Sequence, residues 1–521
     1  MAKKNDSGQK PVLVSGATGY LAGRLIPLLL ESGRRVRAMG RFSEKMADRP
    51  WASHPNLETA RADIRDFASL EKAMKGCGAV FHLVHSMSLT RNRLKKDRVA
   101  ARHMARAAAR VGAERIIYLG GLGDVSGKRA GAHLRSRHEA GDILRQGPVP
   151  ATLLRAAMIL GSGGAAFEII QFLAERRKTI PVPGWADAPL QPISIANVLF
   201  YLKECLDHPE TAGRAFDIGG PDRTTFRDLI GIFADAAGLP RPRMVRVPFL
   251  PPWLWALFIH LSTPVPAVMA RPILEGLAVP AVCRERDIQK LIPQRLIGCR
   301  EAMDRALDKI RKQEVETRWA DAGRMNRPQW LDAPSSGRAE FQCGYRADLK
   351  GDPLSLWRAA AGLGGETGYY AGDVLWKIRG LMDLLAGGFG LGRGRRSPSA
   401  LHAGDALDFW RVLESSPPSR IVLLAEMKVP GEAVLEIDIK PVRSRRLRLS
   451  LLARFAPRGA AGAAYWFALY PFHQYLFTNM IKGMARAAGL EMVSRPRKFA
   501  PKPGRTTPRR PGPKPHPSMR R

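Results

Sequence analysis

The residues Ser15-Gly16-Ala17-Thr18-Gly19-Tyr20-Leu21-Ala22-Gly23 follow a short apolar run, Val12-Leu13-Val14. A helical pattern then runs through Leu25, Ile26, Leu28, Leu29 and Leu30 and stops at Gly33. A glycine-rich turn between a strand and a helix lets the backbone approach a pyrophosphate. The helix N-terminus supplies free N–H groups and the positive end of a dipole. Gly16 and Gly19 suit that turn, with Thr18, Tyr20 and Leu21 completing it. Ala22 stands where a third glycine is usual, and a small residue there still permits close helix–strand packing. Glycine spacing alone is weak evidence, but this turn opens a series of alternating strands and helices.

Gly40-Arg41 stands at the end of the second strand, with Ser43 nearby. A carboxylate at that place would bind the ribose 2′-hydroxyl of NAD, whereas an arginine pairs with the 2′-phosphate of NADP. The sequence therefore favours NADP over NAD. The plain alternative is that Arg41 is one more surface arginine in an arginine-rich chain. Asp63 follows the third strand and is placed to accept a hydrogen bond from the adenine amino group.

The elements that must hold these residues alternate. Strands are expected at Arg35 to Met39, Ala79 to Val84, Arg115 to Leu119 and Ala151 to Arg155, with an alanine-rich helix from Asp97 to Val111. Strands separated by helices imply βαβ units and a parallel sheet, hence a Rossmann-type, doubly wound α/β domain. From Pro240 to Asp332 the chain is proline-punctuated and helical. Val247 to Ala270 carries no Asp, Glu, Lys or Arg, but its prolines leave only Trp253 to Ser262 for uninterrupted helix, too short to span a membrane. A buried or interfacial helix is expected there. Beyond Arg338, a helix (Leu354 to Leu363) is followed by strand-like runs at Ala406 to Leu413, Arg420 to Lys428, Ala433 to Lys440 and Arg445 to Phe455. A long helix, Ala460 to Ala488, closes this α+β module.

The expected divisions are a disordered N-terminus, 1–10, a dinucleotide-binding domain, 11–240, and its helical proline-rich extension, 241–335. An α+β domain, 336–493, and a basic, disordered tail, 494–521, follow. The chain of 521 residues carries 83 Lys+Arg against 47 Asp+Glu, a net charge of +36. Ten of those basic residues and eight prolines lie in the tail, which has no acidic residue and cannot bury a core. The remaining +26 is spread along the body. No basic recognition helix or zinc pattern accompanies it, so nucleic acid is not an expected partner except through the tail. Five scattered cysteines without CxxC spacing fit a reducing compartment and no structural metal. Met1 to Lys10 has no apolar signal region. The expected location is cytoplasmic, with a place peripheral to the inner membrane as the variant of that reading.

Val12 to about Leu160 resembles the atypical short-chain dehydrogenase/reductases, the NmrA-like and complex-I-accessory-subunit-like NAD(P)-binding group. The resemblance rests on Ser15-Gly-Ala-Thr-Gly-Tyr-Leu21, Val80-Phe-His-Leu-Val-His-Ser-Met87, Arg115-Ile-Ile-Tyr-Leu-Gly-Gly-Leu122, Leu154-Arg-Ala-Ala-Met-Ile-Leu-Gly161 and Phe216-Asp-Ile-Gly-Gly-Pro221. From Gly364 on the chain resembles an uncharacterised domain often fused to such reductases. Its marks are Gly364-Gly-Glu-Thr-Gly-Tyr-Tyr370, Gly404-Asp-Ala-Leu-Asp-Phe-Trp410, Ala425-Glu-Met-Lys428 and Tyr465-Trp-Phe467. That domain looks similar to START-like helix-grip proteins, which hold apolar ligands between a curved sheet and a long C-terminal helix.

The resemblance implies a Tyr and, four residues later, a Lys on one helix, with a Ser at the end of the preceding strand. Aligned on Ala132 to Arg145, the Tyr position is His133, the Lys position is Arg137 and the Ser falls at Gly120 or Gly121. None of the three is present. Two readings stand: His133 serves as general acid with Arg137 as the cation, or the site binds the dinucleotide without turning it over. Val84 and His85, after the fourth strand, are expected to line the nicotinamide pocket. Seven aromatics between Tyr465 and Phe477 are core, cavity wall, or both. An apolar small molecule (quinone, isoprenoid or acyl-like) is the implied ligand, and peripheral membrane contact a further expectation.

Overall fold

The computed structural model describes residues 10–499 except 48, 85–92, 128–129, 313, 323–327, 333–339, 392, 396–400 and 443–445. It divides into two compact units. The first joins Met1–Met325 with Ala361–Ser415 and Glu426–Lys428; the second joins Asn326–Ala360 with Ser416–Ala425 and Val429–Arg521.

The first unit is built on seven strands: β1 (Val12–Ser15), β2 (Val36–Gly40), β3 (Leu57–Arg61), β4 (Ala79–His82), β5 (Arg115–Gly121), β6 (Ala151–Ala156) and β7 (Ala215–Ile218). Their order is β7-β6-β5-β4-β1-β2-β3 and every pairing is parallel. This is the Rossmann-type sheet expected from the alternating pattern. Every residue of β1 and β4 is buried, because parallel strands are covered by helices on both faces. The strand order reverses between β1 and β4, and ligands of such sheets bind outside the carboxyl ends at that switch point. Ser15 ties those ends together: its Oγ donates to Phe81 O at 2.9 Å and accepts from Leu83 N at 3.1 Å.

The second unit is an antiparallel sheet, followed by a long helix. Its strands are β8 (Phe341–Lys350), β9 (Arg420–Ala425), β10 (Gly431–Val442), β11 (Arg446–Pro457), β12 (Glu491–Met492) and β13 (Arg497–Phe499), ordered β9-β10-β11-β8-β12, with β13 also on β8. The helix Gly459–Ala487 buries Trp466, Leu476, Phe477, Met480, Ile481 and Met484. Rings pack on rings there: Phe455 stacks on Trp466 at 5.7 Å, and His473 on Phe477 at 5.4 Å.

Three expectations need correction. The run Ala406 to Leu413 is not one strand. It is a hairpin of Ala406–Leu407 and Trp410–Ser416, turned at Asp408, whose φ is 49°. The disordered tail does not begin at 494: β13 pairs with Gly344–Arg346, and Ser494 Oγ accepts from Asp348 N at 2.9 Å. The rest of that tail, 500–521, and the expected disordered N-terminus, 1–9, lie outside the described residues. Finally, 336–493 does not cluster as one body, since 361–415 belongs with the first unit. The reason is a set of buried cations that need acceptors. Arg411 Nη1 donates to Ala320 O and Gly404 O, each at 2.8 Å, and its guanidinium also holds Glu426. Gly404 (φ 88°) lies on the stem of Lys45, where a Cβ would come within 2.5 Å of Lys45 Cε.

Candidate functional site

The turn after β1 is shaped by its glycines. Gly16 has φ 76°, and a Cβ on it would lie 2.8 Å from Val84 Cγ2. Only glycine meets both demands at no cost. Gly16 N and Ala17 N donate to Met39 O, and Gly19 N closes the turn on Gly16 O at 2.7 Å. The helix Ala22–Glu31 begins at once, with Leu21 at its N-cap and no side-chain cap. Gly23 N and Arg24 N close on Gly19 O and Leu21 O at 3.0 and 3.1 Å, which leaves the N–H groups of Tyr20, Leu21 and Ala22 facing the turn as those that could receive a pyrophosphate. The residues present thus suit a dinucleotide. Tyr20 contributes backbone only: its hydroxyl is buried, 2.8 Å from where a Cβ on Gly161 would sit, and burial pushes it up to about 12.

Arg41 lies at the end of β2, exposed, with its guanidinium 5.6 Å from the Phe42 ring centre. Asp63 lies at the end of β3, close enough for Arg41 to help hold its carboxyl below the usual range. The main cause is Arg65, which grips that carboxylate in a fork at 3.1 and 2.7 Å. Sequence reasoning missed two further cations on this edge. Arg49 donates to Thr18 O at 3.3 Å, and Lys45 Nζ donates to Asp321 O at 2.9 Å. Burial, with Arg411 beside it, brings the Lys45 amine down to about 7. The i, i+4, i+8 spacing of 41, 45 and 49 was visible in the sequence; the burial of the Lys45 and Arg49 side chains was not.

Among the described residues, the other end of the site is tightly packed. The helix Ala132–Arg145 carries His133 and Arg137 one turn apart, as expected. Arg137 Nη2 donates to Leu119 O at 2.5 Å, inside the end of β5. Of the two candidate serine positions, Gly121 is crowded by Leu134, whose Cδ1 would lie 2.8 Å from a Cβ there, whereas a Cβ on Gly120 would meet Tyr118 Cε1 at 3.4 Å. His82 stacks on Tyr118 at 5.5 Å, and burial brings its imidazole down to about 4. Ser136 Oγ donates to Asp97 at 2.6 Å. The cleft lined by His82, Val84, Asp97, Tyr118, Ser136 and Arg137 measures about 10 Å³, room for about one water at most. Val84 is thus brought against both Gly16 and this cleft, whereas His85 lies outside the described residues.

Two features were not anticipated. The strap Glu316–Thr317 returns over the phosphate turn. Buried Arg24 donates to Thr317 Oγ1, Thr317 O and Ser162 O, and Thr317 Oγ1 donates to Tyr20 O at 2.8 Å. A larger cavity of about 320 Å³ opens beyond the end of β7, lined by Asp217, Cys283, Glu285 and Arg286 among others. The motif Phe216 to Pro221 was its signal: a Cβ on Gly219 would lie 2.7 Å from Cys283 Sγ, and one on Gly220 2.6 Å from Pro192 O. Burial pushes the Cys283 thiol up to about 12, so it is no nucleophile at neutral pH. Among the described residues no group of side chains is arranged to hold a metal ion.

Residues 16–181 match a family described as NAD(P)H-binding, and residues 335–480 match one described as a protein of unknown function, DUF2867. The chain is similar to the mitochondrial NADH dehydrogenase [ubiquinone] 1 alpha subcomplex subunit 9 of Arabidopsis thaliana. That match is 26% identical over 288 residues, 52% of this chain and 66% of that protein. It is also similar to cinnamoyl-CoA reductase 1 of Oryza sativa subsp. japonica, 33% identical over 24% of this chain and 38% of the reductase. The chain thus spans less than two thirds of the length of these relatives. Among solved structures, a nucleoside-diphosphate-sugar epimerase from Staphylococcus aureus is 15% identical, with 56% of this chain and 99% of that chain covered and a TM-score of 0.46. Residues 16–181, which lie on the parallel Rossmann-type sheet, thus match an NAD(P)H-binding family.

Proposed function

We propose that the chain binds NADP(H) in preference to NAD(H) and acts on, or senses, an apolar small molecule. The observation that carries the cofactor preference is Arg41, a cation at the end of β2 where a carboxylate would select NAD. When bound, the dinucleotide supplies or takes a hydride. The chain's own contribution begins with the N–H groups after Gly19, which hold the pyrophosphate. Arg41 pairs with the 2′-phosphate, and Ser15 fixes the switch point. His133 is the group that would hold or deliver a proton, with Arg137 one turn on. The likeness to cinnamoyl-CoA reductases supports a reductase reading. The aromatic-rich helix on the second unit's sheet supports an apolar ligand held in a START-like manner.

Calorimetric titration with NADPH and NADH tests the cofactor claim. NADPH should bind about tenfold tighter or more, a gap worth about 1.4 kcal/mol, and Arg41→Ala should erase it. Equal affinities in the unaltered chain would sink the claim.

A second reading is favoured by the nicotinamide end. Leu134 crowds Gly121, one of the two candidate serine positions, and Arg137 is spent on Leu119 O. On that reading the dinucleotide is held without turnover, as an accessory protein of a membrane assembly would hold it. Hydride transfer to quinones and aldehydes, measured with and without His133→Ala, separates the two. Turnover that ignores the substitution removes His133 from the mechanism, and no turnover by the unaltered chain favours the second reading.

A further inference from the structure

An amphipathic helix on a folded unit normally turns its apolar stripe to the core. The helix Asp373–Leu385 does the reverse. Val374, Ile378, Leu381, Met382 and Leu385 recur at helical spacing and are 52–71% exposed. Its inward face is Gly380 and Asp383. Gly380 sits so close to Leu391 that a Cβ would come within 2.8 Å. The Asp383 carboxylate accepts from Gly390 N at 2.9 Å and Lys428 N at 2.6 Å. Small and charged groups thus dock the helix, and those bonds hold its apolar face outward.

A second helix of the same unit, Pro252–Ser262, buries Trp255 and Ile259 but leaves Trp253, Leu254, Leu257 and Leu261 at 39–58% exposure. Phe249, just before it, is 96% exposed. His260 Nε2 lies 3.0 Å from Leu384 O, so the last turns of the two helices meet and their exposed stripes run from one junction. A single exposed leucine is ordinary; two joined stripes of large apolar residues mark a surface that something covers.

The charge around these stripes names the occupant. Arg243 to Arg271 holds three arginines and neither Asp nor Glu, with Arg246 paired to Asp187 and Arg271 to Glu275 from outside the segment. Arg177 donates to Leu261 O at 3.3 Å and lies over the Phe258 ring. On the helix Asp373–Leu385 itself, Lys377 is exposed in mid-stripe, and the exposed acid, Asp373, stands at the first position. The chain carries +36 in all. A second copy would bring like charge against like charge. An anionic bilayer offers the opposite charge and an apolar layer for the side chains. Among the described residues no helix is long and apolar enough to cross a membrane, so these helices would lie in the interface.

We propose that the exposed faces of Asp373–Leu385 and Pro252–Ser262 seat this chain on the surface of an anionic lipid bilayer. Sedimentation of the full chain with extruded vesicles tests it, using phosphatidylcholine alone and phosphatidylcholine with one third phosphatidylserine. The unaltered chain should sediment with the anionic vesicles, weakly with the neutral ones, and less as salt is raised. Ile378→Glu combined with Met382→Glu, and separately Trp253→Glu combined with Leu257→Glu, should each lower binding at least tenfold. All four residues are solvent-exposed, and an unchanged melting temperature would show that the variants fold. Equal binding of the variants and the unaltered chain, as the basic tail alone would give, overturns the proposal. So does a dimer in sedimentation velocity that the same substitutions dissolve, for then a second copy is the occupant.

Discussion

The carboxyl edge of the Rossmann-type sheet carries an open glycine turn at one end and, at the other, a packed helix without the Tyr, Lys and Ser that the resemblance implied. After β1, Gly16 and Gly19 give the close backbone and open N–H groups that a dinucleotide needs, and after β2 stands Arg41, the cation proposed for a 2′-phosphate. After β4 and β5, the expected Tyr, Lys and Ser are His133, Arg137 and a glycine crowded by Leu134. The difference separates two requirements. Binding asks for absence, a missing Cβ and an uncapped helix end. Proton transfer asks for particular side chains in open space, and here that space is filled.

The largest effect expected from breaking this contrast is at Gly16. Gly16→Val would force a branched residue to φ 76° and drive it into Val84. Loss of at least a hundredfold in affinity for both NADPH and NADH is expected by calorimetry. Gly33→Ala is the control. It shares a positive φ of 81° but meets nothing within 4 Å, so it should cost about 1 kcal/mol of stability and leave binding alone. Dinucleotide binding that survives Gly16→Val would dissolve the contrast.

The binding end was legible in the sequence because its signals are local. A glycine turn, the strand before it and the helix after it lie within twenty residues, and Arg41 follows at the next strand end. The closed end was half legible. The exchange of Tyr and Lys for His133 and Arg137 shows in one helix, but Leu134 at the Gly121 Cβ position is a tertiary contact. The hairpin at Asp408 escaped because its left-handed residue is not glycine. Segment 361–415 escaped because its place is decided by distant acceptors, such as Ala320 O for Arg411. Strand β13 escaped because proline-rich, basic composition says nothing about the free edge of β8.

A second test uses acid. His82 is 2% exposed at the end of β4, and burial brings its folded-state value to about 4 from 6.5. Between those values the unfolded chain takes up a proton that the folded chain refuses. The His82 contribution to stability is full above about pH 6.5, falls as pH drops through the window and is almost gone near pH 4. The loss amounts to about 3 kcal/mol. His473, also brought down to about 4 by burial, adds a separate share in the second unit. His82→Phe keeps a ring against Tyr118 and should flatten the urea-midpoint profile between pH 6.5 and 4 by one share. An unchanged slope would mean that the imidazole is not sealed in and that the closed end is open to water.

The smallest effect probes the crowded candidate serine position directly. Gly121→Ser restores the side chain that the reductase pattern calls for, but its Cβ would meet Leu134 Cδ1 at 2.8 Å and Arg137 Cδ at 3.6 Å. Overpacking of that kind costs about 1–3 kcal/mol, so the melting temperature should fall while NADPH affinity stays. Adding Leu134→Ala makes room, and part of the lost stability should return. If the closed end is closed only by packing, the double variant should also gain hydride transfer, with His133 supplying the proton. If stability returns and turnover does not, the missing Tyr and Lys, rather than the missing space, keep that end silent. A single variant as stable as the unaltered chain would show that Leu134 yields easily, and the two ends would then differ in side-chain chemistry alone.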